Sequence, residues 1–205
     1  LCEISERLVF DEPVFNRSGA NRVEPENEAL VRTIIYENKA FHMEAGKLKY
    51  QYMTSAQSFL HGDLHTGSIF VNGEDIRVFD SEFAFYGPTG YDLGNVAAHL
   101  LFAKANALWT GRADTAAWAE KAVEDTIRMF GQKITGAGAE VPKDVFEKVL
   151  NQWYYKSILV DTAGYMGMEL IRRVVGSAKV KDLQSLERGA RAEAERQLLR
   201  AGIRL

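Results

Sequence analysis

The stretch from Phe59 to Phe83 constrains the fold most, because it is the strand-rich part of a chain whose other segments carry helical patterns. It contains three short runs with the composition of strands, FLHGDLH, SIFVN and IRVFD. The turn NGED between Val71 and Ile76 has the residue types of a hairpin connection. The sequence therefore predicts a small β-hairpin inserted in a helical body.

Helical periodicity accounts for most of the other residues. Apolar residues recur at helical intervals from Glu26 to about Tyr52, which predicts one or two helices there. Gly, Pro and Asp signals, Gly138 and Pro142 among them, separate four further predicted helices, at 92–108, 113–133, 143–175 and 182–201. Residues 1–24 are turn-rich and are predicted as a loop with one short extended segment. The predicted fold class is α+β, mainly helical.

Some residues within the predicted helices lead to further expectations. Gly164 and Gly167 interrupt a helix, which predicts close approach of another backbone or a bend. The Arg and Glu alternation at 188–197 is expected to be a solvated helix side, with a partner-binding face as the alternative. Three tryptophans at helical apolar positions are expected in the core: Trp109, Trp118 and Trp153.

Composition and charge exclude several classes of protein. The 205 residues are 46% hydrophobic and 26% charged, which suits one domain with a sizeable core. The net charge of -3 disfavours binding to nucleic acid or to an anionic membrane. No apolar run reaches the roughly eighteen residues of a membrane helix, and no signal peptide opens the chain. Cys2 is the only cysteine, so an intrachain disulfide and a cysteine-based zinc cluster are excluded. We expect a globular cytoplasmic protein.

Two acids flank the predicted hairpin and are expected to converge on one spot. Asp63 lies in the loop before the hairpin, and Asp80 follows it directly. Phosphoryl transfer needs one carboxylate to hold the acceptor hydroxyl and take its proton, which suits Asp63, and others to hold Mg²⁺. Asp80 and Glu82 suit the second task, because residues two apart in an extended segment point to the same side. A chance acidic loop is the disfavoured alternative.

The loop HGDLHTGS resembles the catalytic loop of the kinase-like phosphotransferase superfamily, which includes protein kinases, choline kinase and aminoglycoside phosphotransferases. Its pattern is H-G-D-x-H-x-x-N, which His61, Gly62, Asp63 and His65 match. Ser68 stands where the pattern has a metal-binding Asn, a departure that weakens metal coordination in most members. The resemblance implies the C-terminal lobe of the protein-kinase-like fold, with the hairpin carrying the catalytic and metal loops, ATP as co-substrate and Mg²⁺ as cofactor.

Further segments narrow the resemblance to the methylthioribose kinase family. HGDLHTGSI, a D-x-E pair in place of D-F-G and the continuation EFAFYGPTGYDLGN are similar to that family, in which the Asp and Glu of the pair bind the metal. DTAGYMGMELIRRVVG resembles its late helix with paired arginines, which implies that Arg172 and Arg173 bind substrate together with Asp63. The resemblance runs from about residue 45 to the C-terminus. It implies phosphorylation of the sugar 5-methylthioribose to its 1-phosphate in methionine salvage.

The remaining site residues are expected to support this chemistry. His61 is expected to pack inward and to hydrogen-bond backbone so that Asp63 is fixed, and His65 to orient the loop or the metal-site acid. Asp92 precedes an apolar-periodic helix and is expected to be its N-cap. The resemblance implies that this acid also braces the catalytic loop from behind. Arg172 and Arg173 are about 100° apart on a helix, so they are not expected to point identically into one pocket.

The nucleotide-binding half of a kinase is not evident in the sequence. No Gly-rich phosphate loop occurs, and nothing before His61 has the pattern of a multistranded sheet. We therefore expect residues 1–205 to be a C-terminal catalytic lobe without its N-terminal lobe, and to have little kinase activity alone. The start at Leu1 agrees with a fragment. Two alternatives stay open: another alcohol kinase of the choline or aminoglycoside type, and a non-catalytic kinase-like lobe. A homodimer is compatible with the sequence.

Overall fold

The computed structural model describes residues 2–136 and 148–205. These residues are mainly helical with a small β element, which confirms the predicted α+β class. The predicted helix at 143–175 is described from residue 148 onward, and residues 143–147, Gly138 and Pro142 lie outside the described residues. The α-helices in the described part of the chain are α1 Cys2–Glu6, α2 Glu12–Phe15, α3 Glu28–Val31, α4 Lys39–Thr54, α5 Gly90–Trp109, α6 Ala113–Gly136, α7 Lys148–Val175, α8 Lys181–Gln184 and α9 Arg188–Arg204.

Within residues 2–136 and 148–205, four short strands form two antiparallel pairs: β1 Ser58–Leu60, β2 Ile69–Asn72, β3 Asp75–Val78 and β4 Phe85–Gly87. The pair β2–β3 is the predicted hairpin, with Asn72 opposite Asp75 and two turn residues between them. Gly73 in that turn has a φ of +59°, which glycine adopts without strain. Strand β1 pairs with β4, which lies beyond the predicted strand-rich stretch. The loop between β1 and β2 is thus held by a strand pair on either side.

Glycines allow α7 to approach its neighbours closely. The predicted approach of another backbone is confirmed for Gly167, whereas Gly164 meets a side chain instead. A Cβ atom added at Gly167 would lie 2.6 Å from the carbonyl oxygen of Gly202 in α9. One added at Gly164 would lie 2.8 Å from the side chain of Leu48 in α4. Gly94 of α5 approaches the α7 backbone in the same way, with 2.8 Å from a Cβ to the amide nitrogen of Met166. Helix α7 therefore lies at the centre of the helical body.

Two apolar clusters form the core. The larger lies where α5, α7 and α9 meet and includes Phe102, Ile171 and Leu199. The smaller lies next to β1 and is rich in aromatic rings, with Phe10, Tyr52, Tyr91 and Tyr165 in edge or tilted contacts. Leu60, the last residue of β1, is buried in this second cluster. The loop that follows Leu60 therefore starts from a fixed point.

The N-terminal segment is helical, so the predicted loop over residues 1–24 is wrong for its first part. Helix α1, a π-helical turn at Arg7–Asp11 and α2 follow one another without a break. Val9, Phe10 and Val14 on this segment are buried in the smaller cluster, so tertiary packing overrides the turn-rich composition. Asn16, at a left-handed φ of +47°, follows α2 and begins the predicted turns.

Helix α9 packs on its own chain, so the expected solvated side at 188–197 is only partly correct. Glu195 is buried and accepts hydrogen bonds from the Glu24 amide at 3.0 Å and from the Asn27 side chain at 3.1 Å. Arg191 donates to the Glu24 carboxylate at 2.5 Å. Alternating charges on α9 thus bind the segment before α3.

The three tryptophans are exposed, so their expected place in the core is wrong. Their exposed fractions are 41% for Trp109, 62% for Trp118 and 64% for Trp153. Small residues fill the inner positions of the helices instead, among them Ala107, Ala116 and Ala119. None of the helices in residues 2–136 and 148–205 has the length and apolar character that crossing a bilayer requires.

Candidate active site

The loop between β1 and β2 is anchored from behind by Asp92. The two carboxylate oxygens of Asp92 accept hydrogen bonds from the backbone amides of His61, at 2.6 Å, and Gly62, at 3.1 Å. Burial raises the pKa of Asp92, although these two hydrogen bonds act in the opposite direction. The N-cap expectation is wrong, because Thr89 holds that position and Asp92 lies in the first turn of α5. The contacts fit the bracing role that the resemblance implies.

His61 and Ser68 bind the backbone of the same loop. The His61 ring lies 2.8 Å, Nε2 to oxygen, from the Phe79 carbonyl, and its Nδ1 accepts a long hydrogen bond of 3.4 Å from the Asp63 amide. The buried Ser68 hydroxyl accepts from the His65 amide at 3.2 Å and lies within hydrogen-bonding distance of the Asp63 and His65 carbonyls. Ser68 therefore holds the loop backbone where the superfamily pattern has an Asn.

Asp63 is bound by both arginines of α7. Its Oδ1 accepts from a terminal nitrogen of Arg172 at 3.2 Å and from one of Arg173 at 3.1 Å. The expectation that these adjacent side chains would not point identically into one pocket is wrong, because both converge on a single oxygen. Asp63 remains about one-third exposed, while both arginines are buried. The structure thus brings the predicted base and the predicted substrate-binding arginines together.

His65 lies at the edge of this cluster. Its Nε2 is 3.7 Å from the second oxygen of Asp63, and its ring stacks on that of His99 with centroids 5.0 Å apart. Burial lowers the pKa of His65, and the neighbouring His99 lowers it further, although Asp63 acts in the opposite direction. We therefore expect His65 to be neutral at pH 7, so that it contacts Asp63 without adding a positive charge.

Glu169 is a site residue that the sequence analysis missed. Its side chain is 1% exposed and accepts hydrogen bonds from Arg172, from Arg173 at 2.7 Å and from His99 at 3.1 Å. Burial alone would raise the pKa of Glu169, but Arg172, the His99 hydrogen bond and Arg173 together hold it well below its usual range. The spacing in ELIRR, three and four residues before the arginines, is the signal that could have found it.

Asp80 and Glu82 are exposed and follow the hairpin, but the segment between them is not extended. Asp80 has a left-handed φ of +68°, and Glu82 lies in a turn closed by a hydrogen bond from the Ala84 amide to the Ser81 carbonyl at 3.0 Å. The expected same-side arrangement of a straight strand is therefore wrong. Among the described residues, no three His, Cys, Asp or Glu side chains form a group that could hold a metal ion.

A small recess lies beside Asp63. It has a volume of about 50 Å³ and is lined by Leu8 and Val9 of the N-terminal π-helical turn, by Phe83 before β4 and by Tyr91 of α5. Asp63 and Arg172 are the charged residues in its lining. The carboxylate of the site thus borders a mostly apolar space.

Comparison with known proteins identifies the family. The model of the phosphotransferase enzyme family matches residues 20–128, which is more than half of the chain. The chain belongs to the phosphotransferase enzyme family. The matched residues include the loop at 61–68, Asp80, Glu82 and Asp92.

Individual phosphotransferases that resemble the chain are methylthioribose kinases. The enzyme of Geobacillus kaustophilus is 37% identical over 211 residues, covering 100% of this chain and 51% of the relative. Those of Exiguobacterium sibiricum and Bacillus cereus strain G9842 are 36% and 35% identical, with 52% and 51% of their lengths covered. The chain spans about half the length of the relatives it matches. Because these matches cover the whole chain, they also include Arg172 and Arg173.

Proposed function

We propose that the chain is the C-terminal catalytic lobe of a kinase that uses ATP and Mg²⁺ to phosphorylate 5-methylthioribose at its 1-hydroxyl, in methionine salvage and in the cytoplasm. The proposal includes a nucleotide-binding lobe that lies outside these 205 residues. One observation carries it: Asp63, in a loop braced by Asp92, is bound by Arg172 and Arg173. The methylthioribose kinases that resemble the chain support the choice of sugar.

The residues divide the work of phosphoryl transfer between them. Asp63 is partly exposed and can accept the proton of the sugar hydroxyl as that hydroxyl attacks the phosphoryl group. Arg172 and Arg173 present donors where negative charge develops on the transferring group. Asp92, His61 and Ser68 hold the loop backbone, so that Asp63 meets the substrate from a fixed position.

Asp80 and Glu82 are the residues that would hold magnesium. Neither carboxylate has a hydrogen-bond or ion-pair partner among the described residues, so both are available to a cation. Mg²⁺ in kinases is commonly held by one or two carboxylates together with the phosphates of the substrate, and this pair fits that donor set. A preformed cage of three acids does not fit, because Asp63 is bound to the arginines. Bound magnesium would neutralise charge on the phosphates.

The surroundings of Asp63 suit a neutral sugar with an apolar substituent better than a cationic alcohol. Leu8, Val9 and Phe83 line the recess beside Asp63 and offer contact to a methylthio group. Arg172 and Arg173 already pair with Asp63, so this carboxylate is not free to bind the cationic group of choline or an aminoglycoside. A substrate panel of methylthioribose, choline and kanamycin, assayed on the whole protein, tests this choice. Turnover of choline or kanamycin alone would replace the proposed substrate.

The role of Asp63 is tested by Asp63→Asn in the whole protein. We expect kcat to fall by about 10² to 10⁴, because the amide cannot accept the proton. Asp75→Asn is the matched control, since Asp75 lies at the exposed hairpin turn and its carboxylate pairs with exposed Arg77. Unchanged turnover in Asp63→Asn would remove Asp63 from the role of base.

Calorimetry separates the kinase from a non-catalytic lobe. Titration of methylthioribose into the whole protein, with and without MgATP, should show binding, whereas a scaffold binds neither. The 205-residue chain assayed alone should have little kinase activity. Full turnover by that chain would show that it needs no further lobe.

A further inference from the structure

Glu169 is a buried carboxylate whose hydrogen-bond partners among the described residues belong to the same cluster. Its Oε2 accepts from Nε of Arg172, and its Oε1 accepts from Nε of Arg173 at 2.7 Å. The ring of His99, on α5, donates to Oε1 at 3.1 Å. With 1% of its surface exposed, Glu169 is shielded from solvent.

Both arginines bridge Glu169 and Asp63. In each, Nε donates to Glu169 while a terminal nitrogen donates to the same oxygen of Asp63, at 3.2 Å for Arg172 and 3.1 Å for Arg173. A guanidinium group is planar and its donors form a rigid fork. Fixing the Nε–H bond therefore fixes the direction of the terminal nitrogens as well.

Charge balance also depends on Glu169. Two guanidinium groups and two carboxylates, Asp63 and Glu169, make the cluster neutral overall. Without Glu169, two buried cations would share the single carboxylate of Asp63 and would repel each other where water screens them poorly. The pair would then separate, and their terminal nitrogens would no longer meet at one point.

We propose that Glu169 is the positioning residue of this site, holding Arg172 and Arg173 so that their terminal nitrogens converge where the phosphoryl group is transferred. Its catalytic consequence rests on the proposed kinase function. When a phosphoryl group arrives, the terminal nitrogens can pass from Asp63 to the phosphate oxygens while the Nε–H bonds to Glu169 stay in place. A third hydrogen bond, from the His99 ring, holds Glu169 in place.

The first test is Glu169→Gln in the whole protein. Glutamine keeps the shape of the side chain but replaces one acceptor oxygen with an NH₂ group. That NH₂ group faces an Nε–H donor of one arginine, so the guanidinium group of that arginine is displaced. We expect kcat to fall about 10²-fold, because misplacement of catalytic groups commonly lowers the rate by that factor. The KM for methylthioribose should change less than about threefold. Glu195→Gln is the matched control, because Glu195 is also a buried helical carboxylate but binds Glu24 and Asn27. That control should keep kcat.

Combining the substitution of Glu169 with substitution of both arginines distinguishes a positioning role from a general effect on folding. On an Arg172→Lys, Arg173→Lys background, Glu169→Gln should cost little further activity, because residues that act as a unit are not additive. Additive losses, or a kcat in Glu169→Gln equal to the unsubstituted enzyme, would overturn the positioning role. If Glu169→Gln does not fold, Glu169→Asp, which keeps the charge but withdraws the oxygens by one methylene, takes its place.

A readout on the 205-residue chain keeps this inference separate from the proposed function. In ¹H–¹⁵N spectra, the Nε–H protons of Arg172 and Arg173 should exchange slowly with water, and Glu169→Gln should abolish that protection while Glu195→Gln preserves it. Absence of methylthioribose phosphorylation would refute the proposed function alone. Protection that survives Glu169→Gln would refute the inference, whatever the substrate is.

Discussion

Gly62 is the residue whose identity the loop geometry restricts most. Its φ of +86° lies in the positive-φ region, which residues other than glycine rarely adopt. A Cβ at this position would lie 2.1 Å from the carbonyl oxygen of Phe83, which is backbone and has little freedom to move. Since the Gly62 amide also donates to Asp92, the loop cannot shift without losing that bond. Its neighbour Asp63 is placed by the same constraints.

Gly62→Ala should therefore destabilise the protein strongly, with Gly73→Ala as the control. Gly73 also has a positive φ, +59°, but a Cβ there meets nothing within 4 Å. We expect a loss of about 1 kcal/mol in the free energy of unfolding for Gly73→Ala and of about 3 kcal/mol or more for Gly62→Ala. Urea unfolding of the chain measures both. Equal losses would mean that the Phe83 carbonyl yields to the new methyl group.

The site residues that the sequence could predict are those in one short stretch. Asp63, His61 and Asp92 stand near the hairpin in a recognisable pattern, and the structure brings the first two into one loop held by the third. The spacing in ELIRR could have indicated Glu169, but its pairing with His99 joins α5 to α7 across a distance that no local pattern encodes. The convergence of both arginines on one oxygen of Asp63 was not predicted. The angle between two residues on a helix gives the direction in which their side chains leave the backbone, not the place that the ends of long side chains reach.

At the level of elements, local patterns predicted structure best where tertiary packing agreed with them. The hairpin β2–β3 and helices α5, α6 and α7 follow from turn chemistry and periodicity. The N-terminal helices were not predicted, because their helical state depends on burial of Val9 and Phe10 against distant residues. Strand β4 was missed because its three residues gain regular structure only by pairing with β1.

The contact of α7 with α9 depends on a glycine, so Gly167→Ala should weaken it. The new Cβ would lie 2.6 Å from the Gly202 carbonyl, and the helices would have to separate. We expect a loss of about 1–3 kcal/mol in the free energy of unfolding. Gly46→Ala, at an exposed position of α4 where a Cβ meets nothing within 4 Å, should instead stabilise by about 0.5–1 kcal/mol. A gain from Gly167→Ala would contradict the close approach.

At the level of the whole molecule, Lys179 joins the end of α7 to the N-terminal part of the chain. Its ammonium group donates to the carbonyl of Val174, near the end of α7, and to that of Arg22 at 2.5 Å. Burial lowers the pKa of Lys179 to about 8, although Glu195 and Glu24 act in the opposite direction. The positive charge is therefore less favoured in the folded protein than in the unfolded chain.

This pKa predicts how stability depends on pH. Between pH 8 and the ordinary lysine pKa, the unfolded chain binds more protons than the folded protein, so stability should rise with pH. The free energy of unfolding, compared with that of Lys179→Met, should increase by about 1 kcal/mol between pH 7 and pH 9, allowing for solvent screening of a partly exposed group. Urea unfolding at both pH values measures this. A pH-independent difference between the two proteins would contradict the prediction.

The contacts of Glu24 and Asn27 with α9 have a consequence for how the protein is made. These partners are separated by up to 171 positions along the chain, and one of them, Glu195, lies in the last helix of these residues. On the ribosome, the segment around Glu24 emerges well before Arg188–Arg204 and lacks these hydrogen-bonding partners until that helix has been synthesised and released. Because such distant pairings form late, the nascent polypeptide should stay protease-sensitive near Glu24 until Arg188–Arg204 has emerged and become resistant only then.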